Sequence, residues 1–159
     1  VRRTRIGPRP SGLRAAAGAV WVGFGRSATA VARVDPRTHR IERVPVGVRA
    51  PAVFSAGTRD LWIKAGDNVL VRLDPRTRKV RARLSFGGTL AHGALASDGT
   101  IWLPDKELNV IHRVDPQTST VVDSFAGGSG AFFPLRAFGS MWVTSYAGSD
   151  VWRFKPAGR

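Results

Sequence analysis

Thr100-Ile101-Trp102-Leu103-Pro104-Asp105-Lys106-Glu107-Leu108-Asn109-Val110-Ile111-His112-Arg113-Val114-Asp115-Pro116-Gln117-Thr118 is the stretch on which the fold turns. It holds a tryptophan inside an apolar triplet, a polar loop, a second apolar run and an Asp-Pro pair. Just upstream, Asp98-Gly99 suits a two-residue hairpin turn, with residues 94–96 as a short inner strand. Residues 100–103 then read as the second strand, 104–108 as a loop and 109–114 as the third strand. At Asp115-Pro116 the aspartate can accept backbone hydrogen bonds while proline presets φ, which marks a turn before a fourth strand at 120–125. Four antiparallel strands in about 40 residues make one propeller blade.

The same pattern recurs along the chain. Trp21, Trp62, Trp102 and Trp142 stand 41, 40 and 40 residues apart, each between apolar neighbours. Arg33-Val34-Asp35-Pro36, Arg72-Leu73-Asp74-Pro75 and Arg113-Val114-Asp115-Pro116 keep step, and Arg153-Phe154-Lys155-Pro156 is a degraded fourth copy. A fixed period with strands and no helices predicts an all-β propeller of about four four-stranded blades, at about 10–50, 51–90, 91–130 and 131–159. The fourth repeat ends without an outermost strand. Residues 1–7, with Arg2-Arg3-Thr4-Arg5-Ile6 in the register of an outer strand, are predicted to supply it and close the last blade, removing a free edge. The rival reading is part of a larger propeller, cut between blades or completed by a second copy. A monomer and a homodimer are therefore both open.

The chain has 159 residues, 43% of them apolar, enough for one domain that buries roughly 70% of its unfolded surface. Cysteine is absent, which excludes disulfides and thiolate chemistry. No apolar run reaches the roughly 18 residues of a membrane span, and the chain reads as a soluble protein. Arg2, Arg3 and Arg5 followed by Ala15-Ala16-Ala17 imitate a secretory signal. Arg14 and Gly18 interrupt that stretch, and Trp21 is in register with the later repeats, so the region reads as the first blade. No signal peptide is evident and the compartment stays open. The net charge of +14 is uneven: residues 1–83 hold 19 of the 25 Lys and Arg and 5 of the 11 Asp and Glu. The remainder, residues 84–159, is balanced at 6 and 6. Such asymmetry suits an acidic partner.

Ile101-Trp102-Leu103, the run from Asn109 to Thr118 and Val121-Val122 resemble the YVTN-type β-propeller repeats and the related virginiamycin B lyase (streptogramin lyase) propellers. The resemblance covers about residues 10–155 and speaks to fold more than to activity. For a lyase it implies histidines before an inner strand, acids after the tryptophan strand, and a metal, Mg²⁺. Only the third blade matches in part, with Ala91-His92-Gly93 and then Asp105 and Glu107. Pro10 and Pro51 stand where His92 does in the first two blades, a departure from a mechanism that needs several histidines.

Three functional classes follow. The leading one is a non-catalytic binding module with no cofactor, presenting a site for a small molecule or a protein on its loop face. His92, Lys106, Phe132, Tyr146 and Asp150 are its candidate contacts, with Phe133 and Thr144 adding to the same face. The second is a lyase in which His92, Asp105 and Glu107 are catalytic. The third is nucleic-acid or polyanion binding through an outer belt at Arg76, Arg78, Arg81 and Arg83. No aromatic residue interleaves that belt, which speaks against base stacking. The four periodic tryptophans read as packing between blades, and Trp152 stands where other blades have Ala32, Val71 and His112. Phosphate-loop, HExxH, GxSxG and EF-hand patterns are absent from the sequence.

Overall fold

A computed structural model describes residues 3–25, 28–56, 59–91, 95–97 and 99–155. His92 lies outside the described residues, as does Asp98 of the Asp-Gly turn. The chain divides into two compact units, Val1–Ser85 and Phe86–Arg159.

The first unit holds two four-stranded antiparallel sheets. One consists of β1 (Pro10–Ala16), β2 (Ala19–Phe24), β3 (Ala30–Val34) and β4 (Ile41–Pro45). The other consists of β5 (Ala52–Ala56), β6 (Leu61–Ala65), β7 (Val69–Leu73) and β8 (Val80–Ser85). In the second unit, β9 (Leu95–Ser97), β10 (Thr100–Asp105), β11 (Val110–Asp115) and β12 (Thr120–Ala126) form the third sheet. The fourth sheet has three strands, β13 (Ala131–Ala137), β14 (Ser140–Ser145) and β15 (Asp150–Phe154). Every sheet keeps its strands in chain order, as a blade requires.

Strand alternation gives each sheet a tryptophan face and an aliphatic face. Within the first unit, Trp21 packs in one cluster with Leu61, Ile63, Val71 and Leu73 from the aliphatic face of the next sheet. Within the second unit, Trp102 and Ile111 pack in the same way against Ala131, Met141 and Val143. Phe125 and Phe154 extend that contact as a stacked pair with centroids 4.8 Å apart. Trp21, Trp62 and Trp102 are buried, as the period predicts, but Trp142 is only half-buried. The repeated arginines pair across from the tryptophans: Arg33 with Trp21, Arg72 with Trp62, Arg113 with Trp102 and Arg153 with Trp142. The Arg72 and Arg153 guanidinium carbons lie 5.8 and 5.2 Å from the indole centroids, a cation–π arrangement inside one sheet.

The Asp-Pro turns form as the sequence predicts. Asp35 Oδ1 accepts the N–H groups of Arg37 and Thr38, and Asp74 Oδ1 those of Arg76 and Thr77. Asp115 Oδ1 accepts from Gln117. Each turn closes on a residue with positive φ, His39 at 61°, Arg78 at 62° and Ser119 at 58°, whose N–H reaches back to the aspartate carbonyl.

Two expectations differ in detail. Pro104 and Asp105 belong to β10 and not to the following loop, since proline there contributes only its carbonyl, which accepts from Ala91 N–H. Arg3 to Gly7, the described part of the outer strand expected at residues 1–7, form no strand. Ile6 instead packs on the Val22, Phe24 and Ala32 cluster of the first sheet, and Arg43 binds the Ile6 carbonyl. Thr4 Oγ1 lies 2.7 Å from His39 Nδ1 on the same side.

Candidate functional site

The polar chemistry of the second unit gathers at one end of its sheets, where β10 runs out into the loop to β11. Asp105 closes β10 and is fully buried. Its Oδ1 accepts three backbone N–H groups, from Thr89 at 3.1 Å and from Glu107 and Leu108 at 3.0 Å each. Gly88 lies against the carboxylate so closely that a Cβ there would overlap it. Asp105 thus organises its own loop and is not free to act on a substrate through Oδ1. Its Oδ2 is buried without a hydrogen bond and faces His112 Nε2 at 3.7 Å, too far for one.

His112 rises from β11, opposite Leu103 and therefore diagonal to Asp105. Its Nδ1 is 2.8 Å from Ser124 Oγ, and Phe86 lies against the ring with centroids 5.0 Å apart. Burial lowers the pKa of His112 below its ordinary value, and the Asp105 charge opposes that only in part. The ring is therefore neutral at neutral pH. In the sequence His112 stands out only as the third-strand counterpart of Trp152. The signal that finds it is strand register, because only the third repeat puts an acid and a histidine on that diagonal.

Glu107 points the other way. It is exposed, and its Oε2 accepts the Thr89 hydroxyl at 2.6 Å. Lys106 is exposed beside it, its N–H held by the Thr89 carbonyl. Asp105 and Glu107 therefore do not converge on one point. Among the described residues no group of three His, Asp or Glu side chains is placed to hold a metal ion. The described part of the lyase set does not fit Mg²⁺, and no step is derived through it.

A short bridge carries this end into the fourth repeat. Asn109 Oδ1 accepts Gly130 N–H at 2.8 Å, and the Gly130 carbonyl accepts Tyr146 N–H at 3.1 Å. Gly128 has φ 76°, with Trp152 and Ser145 packed where a side chain would project. The loop is thereby pressed onto the sheet, and Phe132, Phe133 and Tyr146 come together beside it. Phe132 meets Phe133 edge-on at 5.0 Å between centroids and Tyr146 at 5.9 Å. Tyr146 is 81% exposed, so the cluster is open to a ligand. Asp150 is exposed close by and accepts Trp152 Nε1–H at 3.1 Å. Of the expected ligand contacts, Phe132 and Tyr146 are in ring contact.

A cavity of the second unit lies elsewhere, on the tryptophan face of the fourth sheet. It holds about 550 Å³ and is lined by Phe133, Leu135, Phe138, Trp142, Thr144 and Val151 among others. Phe133 and Thr144, joined by a hydrogen bond from Phe133 N–H to Thr144 Oγ1 at 3.0 Å, connect it to the loop end.

In the first unit, the arginine belt is largely engaged. Arg81 pairs with Asp74, and with Asp60 at 3.5 Å. Arg78 pairs with Glu42 at 3.1 Å, and Arg83 donates to the Val46 carbonyl at 3.0 Å. The Arg76 side chain is exposed. Asp60 is buried and also takes Arg72, at 2.6 Å. Burial works to raise the Asp74 pKa, but the Thr77 and Arg76 N–H groups and the Arg81 guanidinium outweigh it and hold that carboxyl well below the usual range.

No protein-family model matches the chain, and no curated protein does. Solved structures match it well. The computationally designed Ika4 protein superposes with a TM-score of 0.81 at 11% identity, over 98% of this chain and 96% of that one. BamB from Moraxella catarrhalis matches with a TM-score of 0.71 at 16% identity, over 91% of this chain and 45% of BamB. Apo AztD from Citrobacter koseri gives 0.69 at 10% identity, over 98% of this chain and 46% of AztD. BamB and AztD are β-propeller proteins, and the chain shares that fold while spanning about half the length of each.

Proposed function

We propose that the protein is a non-catalytic β-propeller binding module whose contact site is the loop end of the second unit. The observation that carries this reading is the half-buried Phe132 with the exposed Phe133 and Tyr146 against its ring, at a point fixed by the Asn109–Gly130–Tyr146 hydrogen bonds. Aromatic surface held rigid and open supplies contact area at little entropic cost, with Lys106, Glu107 and Asp150 offering polar contacts around it. Propeller neighbours are consistent with a binding role. Enzymatic readings lack a converging set among the described residues, since Asp105 is bonded into its own loop. The polyanion reading is not taken, because Arg78, Arg81 and Arg83 already hold partners within their unit.

Calorimetric titration of the full chain with phenol, indole and benzylamine tests the reading. At least one probe should bind, and Tyr146→Ala and Phe132→Ala should each weaken it about tenfold with folding unchanged. Binding indifferent to both substitutions, or no binding by any probe, would defeat it.

A further inference from the structure

Resting on the loop-end reading above, we infer that the ligand of this site is a weakly hydrated organic cation, a quaternary ammonium or guanidinium group, chosen by the rings of Phe132 and Tyr146 together with the Asp150 carboxylate.

The loop end of the second unit spends its hydrogen-bond donors on its own folding. The N–H groups of Glu107 and Leu108 go to Asp105 Oδ1, and that of Gly130 goes to Asn109 Oδ1. Tyr146 N–H goes to the Gly130 carbonyl, and the N–H groups of Ala147 and Gly148 share the Ser129 carbonyl. An anion is held where several N–H groups converge on it, and these are already engaged. Acceptors remain. Asp150 Oδ1 takes the Trp152 indole N–H at 3.1 Å, while its Oδ2 takes no hydrogen bond among the described residues. Glu107 engages Thr89 through Oε2 alone.

Charge points the same way. The segments that build this end, residues 86–91, 104–110, 126–133 and 144–150, contain three acids, Asp105, Glu107 and Asp150, and one base, Lys106. The chain as a whole carries +14, so this end is opposite in sign to the chain that bears it. Arg113 and Arg153 of the same unit stand opposite Trp102 and Trp142, within the sheets.

Trp152 gives the acid a fixed place. Ala32, Val71 and His112 occupy its position in the other repeats, and none of them offers an indole N–H to orient a carboxylate. A Cβ at Gly148 would meet Ser145 Oγ and Asp150 Oδ1, so the carboxylate lies against the turn that carries Tyr146. Aromatic faces attract cations, and at an exposed site a quaternary ammonium or guanidinium gives up less hydration than a primary ammonium.

Calorimetric titration of the full chain with benzyltrimethylammonium, benzyl alcohol and benzoate tests the class, since the three share a ring and differ in charge. Benzyltrimethylammonium should bind about tenfold tighter than benzyl alcohol, with benzoate weakest. Asp150→Asn keeps an acceptor for the Trp152 indole and should cut the cation's advantage to about threefold, with the circular dichroism unchanged. Tyr146→Ala should cut it as well. A net charge of +14 by itself favours the anion, so a preference for the cation reports the local site. Benzyl alcohol binding as tightly as the cation, or benzoate tighter than either, overturns the inference and leaves the loop end as a binding site. A cation advantage untouched by Asp150→Asn and Tyr146→Ala also overturns it, because the cation then binds elsewhere. Binding by none of the three sinks this inference and the loop-end reading together.

Discussion

Asp60 in the first unit and Asp105 in the second are both buried and are satisfied in different ways. In the first unit, Asp60 faces two arginines, Arg72 at 2.6 Å and Arg81 at 3.5 Å. In the second, Asp105 accepts three backbone N–H groups through one oxygen, and, as at Asp60, its other oxygen makes no hydrogen bond, here facing the neutral His112. Both aspartates come from copies of the same repeat, yet the Asp60 site is organised by charge and the Asp105 site by loop geometry. Charge composition follows that division, since the whole excess of positive residues lies in residues 1–83. A carboxylate between arginines ties strands together. A carboxylate that gathers N–H groups shapes a loop, and the open aromatic cluster sits at that end.

The same substitution at the two aspartates should separate these roles most strongly. Asp60→Asn removes the charge that Arg72 and Arg81 face and should cost about 3–5 kcal/mol, the loss typical of breaking a buried pair. Asp105→Asn keeps an oxygen for the three N–H groups and should cost about 1 kcal/mol, whereas Asp105→Ala should cost about 3 kcal/mol or more. Urea unfolding of the four proteins checks the order. Equal costs for the two Asn variants would erase the distinction.

Tryptophan truncation gives the next largest contrast. Trp102→Ala removes a buried ring and should cost about 3–5 kcal/mol. Trp142→Ala, at the half-buried fourth position, should cost no more than about 2 kcal/mol. If the two costs match, the contrast fails.

Acid should reach the units at different points. The His112 pKa is depressed below 6.5, so the unfolded state takes its proton first. The contribution is full above about pH 6.5 and declines as pH falls below it, toward the folded value. Asp74 is depressed below 3.8, so its contribution is full above that value and is lost only in stronger acid. Amide hydrogen exchange between pH 7 and 5 should therefore show the second unit loosening before the first, and His112→Gln should remove most of that difference. The smallest effect belongs to the exposed Arg78–Glu42 pair, where Glu42→Gln should change stability by less than about 1 kcal/mol.

Much of this fold was legible in the sequence because its markers are local or periodic. Trp21, Trp62 and Trp102 announce buried strand centres by spacing alone, and Asp35, Asp74 and Asp115 announce their turns through the proline that follows. The site was legible only in part. Phe132 and Tyr146 could be assigned to one face, and they do meet. Asp105 looked like an acid available for catalysis, and its burial depends on Thr89, a contact across 16 positions that no local pattern carries. His112 looked inert until the register of β10 with β11 set it diagonal to Asp105. Arg3 to Ile6 have the alternation of an outer strand, but Ile6 finds apolar cover on the first sheet, which composition alone does not reveal.

The claim that recognition belongs to the second unit is tested most directly by an amide chemical-shift map of the full ¹⁵N-labelled chain during titration with indole. The account predicts shifts concentrated at residues 128–133 and 144–150, saturating together, with the first unit silent. Shifts concentrated among residues 72–83 of the first unit, or spread evenly over both units, would contradict it.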